Sequence, residues 1–505
     1  MIFDRTFHPD EANQAFTTGR LLETGVYRYD PKDHHGPTLY YAAAAIQKAA
    51  GHNSTQSIDG TLLRCTPLLF GFLTLLFSFL ALSKILKKVS GGWFISAAFV
   101  LLLATSPIFV FFATDFIQEM LLACFTSVIF WAAAGYSIRG EDSGKSKIKP
   151  GSWAILGGIA AGLAFATKET SLLAFFAMSV PVLTAFLYCR KSDIPRNPTG
   201  CDKTPSHLVL ASAGFALTAI LFYSSFAQNW QGVWNAFVTA PMSYLHRAAG
   251  NGALSEGAAN HIHPWWQYFK WLFGGNLAFA VFSASGMSIG IYSFHKDRAD
   301  GRIPVTLKAG FIAISGFALS LTAIYSGIPY KTPWCALQLH IPILATAFLG
   351  LWAFAKLNPA GKTLVVALSA VLLFENAAIV AKIWREPDSK SIPYNYAAAS
   401  PQAKDMAKLV ENTVREKGKG AGTFIAVAVP PEDTWPLPFY LRGLNAKVGY
   451  WTKFEELEVL AALKRNPDVV VVPAEQGHLV QPLFPHLKNT KRFEMRHRVR
   501  MRVFW

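Results

Sequence analysis

Between residues 62 and 383 the chain alternates long apolar runs with short polar stretches, a pattern that predicts a bundle of membrane-spanning helices. The runs cover 62–83, 93–113, 118–137, 153–167, 171–189, 208–226, 269–293, 309–328, 335–355 and 362–383, so about ten spans are expected. Most reach the roughly 20 residues that cross about 30 Å of hydrocarbon at about 1.5 Å per residue. Residues 1–61 carry two shorter amphipathic stretches instead. One lies around 11–23, behind Pro9-Asp10 and ahead of Gly25; the other lies around 38–50 and stops at Gly51. Between them 27–37 (YRYDPKDHHGP) reads as turns. Helices of this kind, too short to cross, suit the membrane interface. Another long stretch, 227–268, is rich in Trp and His and has the length of a functional lid. After Trp384 the pattern becomes that of a soluble domain over 385–505. There 402–418 is helical, 424–429 (FIAVAV) and 468–472 (DVVVV) read as central strands buried on both faces, and 496–505 alternates arginine with apolar residues. The expected fold is a mainly α polytopic membrane bundle over 62–384, preceded by a first outer loop (1–61) and followed by a small α/β domain.

Composition agrees. Of 505 residues 52% are hydrophobic and 15% charged, against roughly 25% charged in soluble chains. That excludes a set of soluble domains and a disordered chain. Five cysteines, none after residue 384, exclude a disulfide scaffold there. The net charge of +16 is sorted by loop: alternate loops hold 17 Lys and Arg, among them Lys84, Lys145, Arg190, Lys308 and Lys356, whereas the opposite set holds Lys168, Arg247, Lys270 and Lys331. Positive residues stay on the cytoplasmic side, which places residues 1–61 and 385–505 outside and leaves the basic excess no nucleic-acid role to explain. Met1 is followed by Asp4 and Arg5 rather than an apolar signal core. A segment that starts outside needs something to carry it there, so either a first helix lies upstream of Met1 or the orientation is the reverse.

Few charges are expected at the outer face, and they cluster. Asp10-Glu11 opens the first loop; Asp115 and Glu119 lie four apart where one span ends and the next begins. Lys168-Glu169 ends the 153–167 span, and Lys331 precedes the 335–355 span. Charges at the hydrocarbon edge are costly unless paired or functional. Taken singly, each could be an interface residue that snorkels to water. Four clusters on one face point to a shared polar cavity in which a carboxylate takes a proton while lysines neutralise a phosphate. His8, His34, His35, His246, His261 and His263 are all on that side, and imidazole with carboxylate is a reasonable set for a divalent metal, although none of the spacings is diagnostic. Trp265-Trp266 suits an aromatic belt, and Glu375 is expected to pair inside the bundle.

Asp10-Glu11 followed by His35-Gly36-Pro37-Thr38-Leu39-Tyr40-Tyr41 resembles the signature of the polytopic type-C glycosyltransferases. These include the dolichyl-phosphate-mannose protein mannosyltransferases and the bacterial aminoarabinose transferases. Ser106-Pro107 followed by Asp115, the 162–169 stretch (GLAFATKE) and Tyr330-Lys331-Thr332-Pro333-Trp334 are similar too. The 393–401 and 435–440 segments are similar to the bacterial and archaeal branch associated with flippase activity. The resemblance runs over nearly the whole chain. It implies an integral membrane enzyme of the cell envelope that uses a polyprenyl-phosphate sugar donor and transfers outside the cytoplasm to a lipid, glycan or protein, without a nucleic-acid partner. It implies Asp10 as base with Glu11 adjoining, and Asp115 as a second acidic site that in some relatives helps hold a divalent metal and in others works without one. Lys168 and Lys331 would bind the donor phosphate; Glu119, Glu169, His35 and His263 would organise the site or a metal. Family members begin with a span just before the acidic pair, here expected ahead of residue 1. Two other readings stand beside the enzyme: a lipid-linked oligosaccharide flippase, and a non-catalytic accessory protein docking through 385–505.

The topology is testable. Cysteines introduced at Lys145 and Asp300 should be shielded from an impermeant thiol reagent in intact cells, and one at Asn445 should label; the reverse pattern would overturn the orientation.

Overall fold

The computed structural model describes residues 2–31, 35–137, 148–191, 204–243, 261–389, 391–396 and 398–505. His34, Cys201, His246, the middle of the 227–268 stretch and the loop charges at 139–147 and 193–203 lie outside the described residues. Two compact units are present. One gathers Met1–Gly25, Ala44–Leu63 and Arg385–Trp505; the other holds Val26–Ala43 and Arg64–Trp384.

The second unit is the membrane bundle, and the chain is a multi-pass integral membrane protein. Eight helices are long and apolar enough to cross: Gly60–Ile85, Glu119–Ser137, Ser171–Arg190, Pro205–Tyr223, Leu277–Asp297, Val305–Gly327, Pro333–Leu357 and Pro359–Arg385. Two of the ten expected spans are shorter helices, Gly92–Ala104 and Pro150–Phe165. The 93–113 run is broken because Pro107 cannot donate to a continuing helix; Ser106 becomes the N-cap of a new helix, Pro107–Phe112. The 269–293 run is likewise two helices, Gln267–Phe273 and Leu277–Asp300. Asn276 caps the second through Phe279 N at 2.8 Å. Glu375 also serves this helix start, accepting from the backbone N–H of Leu277 at 3.0 Å and from that of Ala278. Its partner inside the bundle is thus the positive end of a helix rather than a side-chain cation. Small residues let helices approach: a Cβ on Gly350 would lie 2.0 Å from the Gly286 carbonyl oxygen. At one end of the unit Asp297 accepts from Lys308 Nζ at 2.7 Å and from the backbone N–H of Arg302 and Ile303 at 2.7 and 3.0 Å. Lys84 lies at this end too, since Ile85 accepts from Thr306.

The first unit is built on a five-stranded sheet of order β2-β1-β3-β5-β4, with β1 Phe424–Ala428, β2 Lys447–Trp451, β3 Val469–Pro473, β4 Thr490–Arg496 and β5 Val499–Phe504. β1 runs parallel to β2 and β3, pairing Ala426 with Gly449 and Val470; β5 runs antiparallel to β3 and β4. The apolar runs expected as central strands are β1 and β3, buried on both faces. Ile425, Val427, Val469 and Val471 pack with Met406 and Val410 of helix Gln402–Lys417. Ala426, Ala428, Val470 and Val472 pack with Leu457, Leu460 and Phe484. Leu457→Ala should destabilise this sheet by about 2–5 kcal/mol, read as faster hydrogen exchange across β1 and β3 in the full-length chain. Unchanged exchange would mean the lower core layer is not what holds these strands.

Candidate functional site

The polar end of the membrane unit is assembled from three short connections. The first joins helix Pro107–Phe112 to Glu119–Ser137 and contains Asp115, which is buried. The second, just past helix Pro150–Phe165, contains Lys168-Glu169. The third, 328–335, leads into helix Ala336–Leu357 and contains Lys331.

Lys168 and Glu119 form an ion pair, with both side chains almost wholly buried. Burial alone would lower the Lys168 ammonium; the Glu119 carboxylate outweighs it and holds Lys168 above the ordinary lysine range. Trp334 stands with its ring centre 6.0 Å from Lys168 Nζ, and Gln338 Nε2 donates to the Glu119 carbonyl at 3.2 Å. The other Glu119 oxygen, Oε2, is buried without a hydrogen-bond partner among the described residues.

Glu169 is held differently. Tyr29 donates to its Oε1 at 2.6 Å, and His35 Nδ1 lies 2.9 Å from its Oε2. Burial would raise this carboxyl, but His35 and Tyr29 bring it down to about 2. An ionised carboxylate only accepts, so Nδ1 carries the imidazole proton. The 35–38 segment lies directly against 166–167. Thr38 N donates to the Ala166 carbonyl at 3.2 Å, the Thr38 and Thr167 hydroxyls are 2.7 Å apart, and a Cβ on Gly36 would sit 2.2 Å from the Ala166 oxygen, so only glycine fits. Tyr27 donates to the His35 carbonyl at 2.5 Å.

Lys331 is 1% exposed, yet its ammonium donates only to the Ile328 carbonyl and meets no carboxylate among the described residues. Burial lowers its pKa. His263 lies beside it: Lys331 N donates to the His261 carbonyl at 2.8 Å, and His263 N to that of Pro329 at 3.0 Å. Burial, with Lys331 and Lys270 nearby, lowers the His263 imidazole.

Below this polar end lies an apolar pocket, lined by Leu82, Phe99, Ala123, Phe130, Phe317 and Pro342 among others, with Gln338 at its lining too. Gln338 therefore joins the cavity to the Glu119–Lys168 pair. Sequence reasoning missed Gln338 and Tyr29. A lone amide in an apolar run was a usable signal for the first; nothing local marked the second.

In the other unit, Asp10 and Glu11 open helix Pro9–Thr24 and are treated unequally. Glu11 is fully buried, accepts from His8 N at 3.0 Å in a capping box and lies 4.0 Å from Arg5. The Asp10 side chain is half exposed, 3.7 Å from His8 Nδ1. His8 Nε2 bonds the Tyr396 carbonyl at 2.9 Å.

The described residues gather no ligand set for a divalent metal. Among the described residues no three His, Cys, Asp or Glu side chains come together, and Glu119 and Glu169 are already engaged by Lys168 and by His35 and Tyr29. Among the described residues Asp115, Glu119, Glu169, His35 and His263 do not come together as a metal set.

The bundle and its sheet domain have the fold of the polytopic type-C glycosyltransferases, as the sequence motifs led one to expect. The crystal structure of ArnT from Cupriavidus metallidurans bound to undecaprenyl phosphate superposes with a TM-score of 0.64 at 14% identity, covering 99% of this chain and 94% of that one. Its apo state gives 0.61 at the same identity and coverage. The apo oligosaccharyltransferase of Archaeoglobus fulgidus gives 0.51 at 10% identity, over 94% of this chain and 66% of that one. No protein-family model and no curated protein matches the chain.

Removing one member of a buried pair strands the other. Glu119→Gln should cost about 3–5 kcal/mol, measured by thermal unfolding in detergent. Glu169 gives a pH signature. Its folded pKa of about 2 lies below the ordinary value near 4.3. Its contribution is therefore full above that ordinary value and is lost as pH falls from about 4.3 toward 2. Glu169→Gln should remove that segment of the acid-unfolding curve; an unchanged curve would refute the network.

Proposed function

We propose that the chain is a membrane glycosyltransferase that moves a sugar from a polyprenyl-phosphate donor to a lipid, glycan or protein acceptor on the extracytoplasmic side. The observation that carries this reading is Lys331, a buried ammonium whose partner among the described residues is only a carbonyl. It stands at the polar end of a bundle whose apolar cavity reaches Gln338 and, through it, the Glu119–Lys168 pair. A buried cation demands an anion, and an anion above an apolar slot describes a lipid phosphate. The likeness to ArnT, crystallised with undecaprenyl phosphate, supports the same choice.

In this mechanism Asp10 takes the proton of an acceptor hydroxyl, whose oxygen attacks the anomeric carbon from the face opposite the phosphate. The bond from that carbon to the phosphate oxygen breaks, its electron pair leaves with the polyprenyl phosphate, and the sugar is inverted. Lys331 offsets the charge that grows on the leaving oxygen, with Lys168 adding a second, internally balanced cation. Glu11 belongs to the fold and Asp115 to the turn that positions Glu119.

One observation favours the flippase reading. A second cavity shares Ile85, Phe130 and Ile314 with the first, so apolar space follows helix Glu119–Ser137 from Ala123 to Ser137. Purified chain assayed for sugar release from a panel of polyprenyl-phosphate sugars separates the two. Asp10→Asn should lower kcat about 10²–10⁴-fold, and Lys331→Ala about 10²–10³-fold with weaker donor binding. Full turnover in Asp10→Asn would remove Asp10 as the base. Lipid-linked sugar translocation in vesicles that is indifferent to Asp10 would favour the flippase.

A further inference from the structure

The last two strands carry an arrangement that the transfer reaction does not use. Between residues 488 and 502 there are seven Lys or Arg and one acid, Glu494. In the β4–β5 register Arg492 stands directly opposite Arg502, and Glu494 opposite Arg500. Side chains alternate, and Phe493, Met495, Met501 and Val503 fill one face as core. Arg492, Arg500 and Arg502 therefore share the other face, with Glu494 on it opposite Arg500, so the Arg492–Arg502 pair is the part of that face opposed by like charge. Directly opposed cross-strand residues have Cβ atoms about 4.5–5.5 Å apart, and like charges there are destabilising. Arg500 is two residues along the same strand, about 7 Å away.

None of the three arginines has a hydrogen-bond or ion-pair partner among the described residues, although their neighbour Arg496 is engaged by Asp433. Arg502 is also held in place. Its guanidinium carbon lies 6.0 Å from the Phe504 ring centre, and its side chain runs so close over Gly477 that a Cβ there would meet its Cδ at 2.6 Å. Its Nε is buried without a hydrogen-bond partner. A pinned guanidinium facing a second one across a strand pair loses little freedom on gripping an anion. Two forked donors suit the tetrahedral oxygens of a phosphate group better than a planar carboxylate or a single lysine would.

We propose that Arg492 and Arg502, with Arg500 beside them, form a binding site for a phosphate group on the sheet domain, separate from the donor-phosphate site at Lys331. The phosphate could be borne by a membrane lipid headgroup or by a soluble ligand such as a phosphorylated glycan, and the two sources are separable. The proposal stands whether or not the transferase reading does, because it rests on the β4–β5 register alone.

The test uses full-length chain carrying Lys331→Ala, so that the donor site does not contribute, and inorganic pyrophosphate as probe. Pyrophosphate should slow hydrogen exchange of residues 490–504. R492Q/R502Q should weaken its apparent affinity at least tenfold, and R492K/R502K, which keeps the charge but loses the fork, should fall between. Protection that appears in phosphatidylglycerol nanodiscs without pyrophosphate, and not in phosphatidylcholine ones, assigns the site to a lipid headgroup. Protection by pyrophosphate alone assigns it to a soluble ligand. No protection in either arm, or protection unchanged in both double variants, overturns the proposal. Equal melting temperatures of the variants without ligand establish that lost binding is not lost folding.

Discussion

The buried pair of Lys168 and Glu119 is the constraint around which the polar end of the bundle is arranged. Neither ion could stay charged there alone, and removing either partner leaves a desolvated charge. The backbone helps both. Glu119 is the first residue of its helix, where the macrodipole favours an anion, and Lys168 follows the end of helix Pro150–Phe165, where it favours a cation. Because Gln338 of a third helix donates to the Glu119 carbonyl, three spans that are distant in sequence are held in one register at that end. Glu169 repeats the logic at the start of helix Ser171–Lys191, and its grip on His35 fixes the 35–38 segment against the same turn.

Charge counting then separates the two lysines that look equivalent in sequence. Lys168 is neutralised by Glu119, whereas Lys331 is not neutralised by any carboxylate among the described residues. In the proposed mechanism a sugar phosphodiester would bring about one negative charge to an ammonium without a carboxylate partner among the described residues. The released monoester approaches two charges, so the leaving group gains charge faster than Lys331 alone can balance. In that mechanism such an arrangement would bind the transition state and product more strongly than the ground state, which lowers a barrier but slows release.

The spans and central strands were legible in the sequence because burial on all sides leaves no polar residue to interrupt a run such as 469–472. The same averaging hid the breaks. Ser106-Pro107 and Gly274-Gly275-Asn276 lie inside runs whose mean apolarity hardly changes, so each was read as one span although the proline was visible. β2 and β4 were missed because exposed strands keep polar residues on their open faces and lack an apolar signature. At the site, charges at span ends were readable because few exist. Their partners were not, since pairing Lys168 with Glu119 or Tyr29 with Glu169 depends on how helices pack rather than on spacing.

The two neighbouring acids of the first loop show why adjacency in sequence is a poor guide to shared chemistry. A capping box requires a carboxylate or amide at the third helical position to reach back to the N-cap N–H, and in helix Pro9–Thr24 that position is Glu11. Its burial beside Arg5 completes the commitment. Asp10, one residue earlier, keeps its side chain half exposed, 3.7 Å from His8 Nδ1, and takes no part in the Glu11 bond to the N-cap. In the proposed mechanism, substitution of Glu11 would therefore lower activity by loosening the segment that presents Asp10. That loss would resemble the loss of a base in any assay reporting turnover alone. A folding readout distinguishes them, because only the Glu11 change should unseat the cap.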